Sequence, residues 1–260
     1  MPFLYLRRLT SSRRTDAANR HLARFLAFIA GAANAGGFLA VGRYTSHMTG
    51  IVSSTADALA SGSLLPALKG LGAVTAFLAG AFVTTLMVRW ARARNLESEY
   101  ALPLILEAAL LVAFGLTGRV FIAGHTVFGT VTLLCFTMGV QNATITKLSG
   151  AVIRTTHLTG IVTDMGISLG RLVYPRSRQD SRAADYSEDQ TRAAELKKLR
   201  LHFSIVALFF LGGVTGALGF RRVGFLFTLP LAAILLVLAA MPLAEDLRRQ
   251  CRATSEATRT

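Results

Sequence analysis

An all-α membrane protein, with six transmembrane helices arranged as two inverted three-helix repeats, is the fold class this 260-residue sequence predicts. Three observations carry that expectation. Composition comes first: 52% of residues are hydrophobic, only 16% are charged, and the mean hydropathy is +0.49, which sets the chain apart from a soluble domain. Second, Thr45-Ser-His-Met-Thr-Gly-Ile-Val52 returns as Thr155-Thr-His-Leu-Thr-Gly-Ile-Val162, identical at six of eight positions. Third, 23 of the 28 Lys and Arg residues fall in the two tails, in alternate connections or in the span turns adjoining them, the side that a six-span chain with cytoplasmic termini would keep in the cytoplasm.

The elements follow in order. Residues 1–21 form a basic cytoplasmic tail. The first span, Leu22 to Val41, contains Phe28-Ile-Ala-Gly-Ala-Ala-Asn-Ala35, which is echoed by Phe136-Thr-Met-Gly-Val-Gln-Asn-Ala143 with Phe, Gly, Asn and Ala in the same four places. The tail and first span together look like a signal peptide, but recurrence of the helix inside the chain argues against cleavage. After the first signature, Ile51 to Ala60 offers about 15 Å of helix, half a bilayer. Its counterpart is Ile161 to Gly170. Each is read as a short re-entrant or interfacial helix, with the preceding Thr-Gly supplying cap and turn. Treating them as full spans would carry Arg89, Arg92 and Arg94 to the outside.

Leu71 to Trp90 and Ala101 to Gly118 complete a first repeat over residues 22–121. Val127 to Thr146, Phe203 to Phe220 and Val223 to Met241 form the second, over residues 127–244. It includes a polar stretch, residues 175–200, read as a solvated loop or short surface helix. A basic tail, residues 245–260, follows. Two weaker matches extend the repeat: Phe77-Leu-Ala-Gly80 with Phe210-Leu-Gly-Gly213, and Leu102-Pro-Leu104 with Leu229-Pro-Leu231. Three spans per half is an odd number, so the second half must enter the membrane upside down, an architecture found in transporters.

The net charge of +14 raises the question of nucleic acid, but its one-sided distribution points to a bilayer with anionic lipid on the basic face. Cys135 and Cys251 provide neither a disulfide framework nor a CxxC metal site. No Gly-rich nucleotide motif appears, so ATP-driven transport by this chain alone is not expected.

Tyr44-Thr-Ser-His-Met-Thr-Gly50, the small-residue helix before it, Met138-Gly-Val-Gln-Asn142 and Thr155-Thr-His-Leu-Thr-Gly160 together resemble the YoaK family, bacterial inner-membrane proteins defined as a domain of unknown function. The resemblance runs from about Ala23 to Met241. It implies a multi-pass membrane protein and carries no substrate, reaction or catalytic residue.

Polar groups inside a membrane are costly and therefore functional candidates. Glu107, within LPLILEAALLVAF, is either a proton carrier or a neutral carboxyl bonded to another helix. His47 and His157 are a symmetric pair that could line a solute path, hold their loops by hydrogen bonds, or ligate metal. Metal is the weakest of these, because four dispersed residues lack a ligand spacing, and no cofactor is expected. Thr45, Thr49, Thr155 and Thr159, with Gly50 and Gly160, read as turn and cap groups or as path residues. Asn34, Gln141 and Asn142 place amides among apolar neighbours, as helix-to-helix ties or path residues. Asp164, closer to His157 than Asp57 is to His47, is the better acidic candidate.

The leading functional expectation is a small-solute transporter or channel of the bacterial inner membrane, its path lined by the two signature loops. A membrane-embedded enzyme using His47, His157, Glu107 and Asp164 is the rival class; the duplication of the polar groups speaks against it. A non-transporting scaffold, with residues 175–200 as its partner surface, is the third. Three helices per half are few for a sealed pore, which leaves room for a homodimer.

Overall fold

In a computed structural model, residues 16–42, 44–94, 96, 98–123, 127–148, 158–174 and 188–257 are described. All regular structure among them is helical. In chain order these are α1 (Asp16–Val41), α2 (Met48–Ala60), α3 (Leu64–Ala93), α4 (Ala101–Ala123), α5 (Val127–Leu148), α6 (Leu158–Val173), α7 (Glu188–Val223), a 3-10 turn (Gly224–Phe227) and α8 (Thr228–Ala257).

Punctuation in the sequence sets these boundaries. Pro66, Pro103 and Pro230 each stand third in their helix, where a missing N–H costs nothing. Gly62 adopts φ 72° and closes α2 with two bonds, Ser63 N–H to Ala58 O at 2.8 Å and Gly62 N–H to Leu59 O at 3.0 Å, the Schellman pattern that needs a left-handed residue. Gly42, at φ 67°, follows the end of α1, and Gly224, at φ 69°, separates α7 from α8.

Among the described residues, five helical stretches are long and apolar enough to cross a membrane: Arg20–Leu39, Leu64–Ala93, Ala101–Gly118, Val127–Lys147 and Arg192–Ala240. The last is 49 residues long, more than twice the roughly 20 that a bilayer requires, and the 3-10 turn at Gly224–Phe227 divides it. The second half of the polar stretch 175–200 is not a loop. From Glu188 it continues without a break into the apolar part of α7, because Ala, Leu, Lys, Glu and Arg are good helix formers; residues 175–187 lie outside the described set.

Burial runs opposite to that of a soluble helix. On α3 the inward residues are Ala67, Gly70, Ala73, Ala76, Gly80, Thr84, Val88 and Ala91, while Leu71, Leu78, Phe82 and Leu86 are exposed. α7 likewise exposes Phe203, Phe210, Leu211 and Leu218. Hydrocarbon provides no drive to bury large side chains, and small ones allow helices to approach closely. Trp90, half exposed near the end of α3 with Arg94 over its ring at 5.3 Å, suits an interfacial position.

Two crossings use the same four-residue device. In one, Phe28-x-x-Gly31 of α1 meets Phe209-x-x-Gly212 of α7: the Phe209 carbonyl fills the place of a Gly31 side chain, and the Phe28 carbonyl that of Gly212. In the other, Phe136-x-x-Gly139 of α5 meets Phe77-x-x-Gly80 of α3 with the same reciprocal contacts. Backbone against backbone, such pairs bring Cα–H groups onto carbonyl oxygens. Packing thus sets Phe77 equivalent to Phe209, one residue from the Phe77–Phe210 match that the sequence suggests, since the side able to receive a backbone is the one carrying Gly212.

α2 turns at Gly62 and runs antiparallel beside the amino-terminal half of α3. Thr55 packs on Gly70, and Met48 and Ile51 reach Ala73, Ala76 and Cys135. α6 lies similarly against α7, through Ser168 to Glu195 and Asp164 to Lys198. The largest core joins α1, α4, α5 and α8 through Leu26, Ile29, Leu104, Met138 and Leu235.

Candidate functional site

The first signature folds back onto the helix that precedes it. Ser46 Oγ donates to Asn34 Oδ1 at 2.9 Å, drawing Tyr44–His47 alongside the last turns of α1. An amide in an apolar helix needs such a partner, for roughly 0.6 to 2 kcal/mol. Thr45 is buried beside Gly37, and its Oγ1 has no hydrogen-bond partner among the described residues.

The His-x-x-Gly spacing has a local cause. His47 precedes the first turn of α2 without a side-chain cap bond; its ring lies on Gly50, where a Cβ would collide with it. Three residues apart on a helix is the same face. His47 and Thr49 are both exposed and Gly50 is half-buried. Thr155 and His157 lie outside the described residues. Thr159 is exposed, Gly160 half-buried, and Asp164 pairs with Lys198 at 3.7 Å.

A second polar group occupies the interior. Glu107 of α4 and Gln141 of α5 are both fully buried. Gln141 Nε2 donates to Glu107 Oε1 at 2.7 Å and to the Leu26 carbonyl of α1 at 3.4 Å, so one amide ties three helices. Glu107 Oε2 and Gln141 Oε1 have no partner among the described residues. Neighbouring Asn142 donates along its own helix, to Met138 O at 2.8 Å.

The candidates therefore separate into three settings. Asn34 and Thr45 surround the loop, Glu107 and Gln141 the core, and Asp164 the paired flank of α6. Among the described residues no three His, Cys, Asp or Glu side chains gather as a metal group. Sequence reasoning missed Ser46, although a hydroxyl stands between Thr and His in both copies, Ser46 and Thr156, matching the amides Asn34 and Asn142. It also missed Glu195, which accepts from Ser168 Oγ and Arg171 Nη1, both at 2.7 Å, and the Arg92–Glu99 pair; periodicity does not reveal ion pairs between separate elements.

A protein of Bacillus subtilis (strain 168) described as UPF0700 transmembrane protein YoaK is 29% identical over 170 residues, covering 64% of this chain and 74% of the relative. No solved structure matches. With a transmembrane relative and an exterior of exposed Leu and Phe over small interior residues, the chain is a multi-pass integral membrane protein. The family model for "Protein of unknown function (DUF1275)" matches residues 22–241, and this chain belongs to that family.

Proposed function

We propose that the chain is a small-solute transporter of the bacterial inner membrane, built from six crossings in two oppositely oriented halves, with a proton-linked Glu107. The observation that carries this reading is the buried Glu107–Gln141 pair: a carboxyl of the first half meets an amide of the second, and the amide reaches back to Leu26 of the first. An ionisable residue held between helices inside a membrane is expensive and marks ion or substrate pathways, and sites at repeat interfaces are the rule in inverted-repeat transporters.

Further support comes from the packing. The first helix of each half crosses the third of the other through Phe-x-x-Gly pairs, and each short helix lies beside the third helix of its own half, as a two-fold relation requires. α2, starting among Ala73 and Ala76 in the middle of α3, suits a re-entrant half-helix better than one flat on the surface. The break at Gly224 allows the final apolar stretch to count as two crossings, with both termini in the cytoplasm.

The test is a thermal-shift screen of the purified protein across a metabolite panel, followed by proteoliposome uptake of any solute that raises the melting temperature. Glu107→Gln should transport that solute without pH dependence, because glutamine keeps the shape but carries no exchangeable acid proton. An unchanged pH profile would remove the proton linkage, and no saturable uptake of any stabilising solute would remove the transport reading.

A further inference from the structure

Where the apolar stretches of α1 and α7 begin, the two helices leave a groove of about 400 Å³. Arg20 and Arg24 of α1 and Lys197 and Arg200 of α7 line it, together with Leu196 and Leu201, and no carboxylate is among the lining residues. Four cations around one cleft repel each other, whereas two cations where α6 meets α7 have carboxylate partners. On the flank of α7 that faces α6, Lys198 pairs with Asp164 and Arg171 with Glu195; on the flank that faces α1, none of the described residues lining the groove is acidic. Arg24 is also positioned, its Nε donating to Ser204 Oγ at 3.0 Å.

We infer that this groove seats the headgroup of an anionic phospholipid. The chemistry required is a phosphate oxyanion, which guanidinium and ammonium groups bind through charge-assisted hydrogen bonds. A lipid rather than a free anion is favoured by the groove's position and lining. The apolar spans of α1 and α7 start at Arg20 and Arg192, so the groove lies where helix surface changes from charged to apolar. Leu196 and Leu201 within it, and the exposed Phe25 and Phe203 immediately beyond, suit a glycerol backbone and acyl chains. Basic pockets between transmembrane helices on the cytoplasmic side are recognised lipid seats. Because α1 and α7 are the pair joined by the Phe28–Gly212 crossing, a lipid here would tie that pair at a second place. The inference needs only the bilayer, not transport.

The test uses the full chain in neutral detergent, with phosphatidylglycerol, phosphatidylcholine and inorganic phosphate as separate probes. Phosphatidylglycerol should raise the melting temperature saturably and remain bound in native mass spectra, while the other two should do neither. Arg20→Gln with Arg200→Gln should weaken that binding roughly tenfold or more, and Arg221→Gln with Arg222→Gln, the same charge loss elsewhere on α7, should leave it unchanged. Should the groove variant not fold, a photoreactive phosphatidylglycerol on the wild-type protein decides: label must fall on residues 20–25 or 193–203. Equal stabilisation by phosphatidylcholine or by inorganic phosphate, equal loss in the Arg221/Arg222 control, or label confined to other segments would overturn the assignment.

Discussion

Glu107 and Gln141 form a pair with one donor too few. The two protons of the Gln141 amide go to Glu107 Oε1 and Leu26 O, leaving Glu107 Oε2 and Gln141 Oε1 as two buried acceptors without partners. A protonated Glu107 has the donor these acceptors lack. Glu107→Gln should therefore remain folded, since a second amide also supplies a donor. Gln141→Leu should lower stability by about 1–3 kcal/mol, the cost of leaving a buried group unsatisfied. Thermal unfolding in detergent compares them, and a Gln141→Leu protein as stable as wild type would make the pair dispensable. At this scale the sequence identifies the groups that need partners, because amides and a carboxyl in apolar helices cannot stand alone. It does not identify the partners: Gln141 and Leu26 are 115 residues apart, and only the packing of α1 on α5 brings them together. His47 differs: its duplication points to chemistry, and its ring also packs locally on Gly50.

The helices are held together by where side chains are absent. Gly31, Gly80, Gly139 and Gly212 each face a carbonyl of the crossing helix, while Gly129, Gly166 and Gly170 have nothing within contact distance of an added Cβ. Alanine at any of the first four should cost about 1–3 kcal/mol by overpacking, with Gly31 and Gly139 alike because their surroundings correspond. Alanine at Gly166 or Gly170 should be neutral or slightly stabilising, as alanine is the better helix former. Melting temperatures of the six variants check both statements, and a Gly139→Ala protein unaffected while Gly31→Ala fails would break the equivalence of the crossings. Small-residue clusters announced tight packing in the sequence, and the long apolar helices were readable from hydropathy. The register was not, because Phe209 and Phe210 are adjacent and either fits Phe77 by identity; only the backbone that must fit against glycine selects Phe209. The helical extension of α7 before Leu201 was also hidden, since a charged run reads equally as helix or loop until it docks on α6.

For the whole molecule, orientation decides the rest. Basic residues concentrate on alternate connections, and the two Phe-x-x-Gly crossings exchange helices between halves; both follow if three spans enter the membrane from one side and three from the other. Reporter fusions placed after Gly62 and after Gly124 read this directly. Both sites should report the periplasm, with a fusion at the carboxyl end reporting the cytoplasm. A cytoplasmic signal after Gly62 or after Gly124 would remove the odd number of spans per half, and with it the inverted repeat.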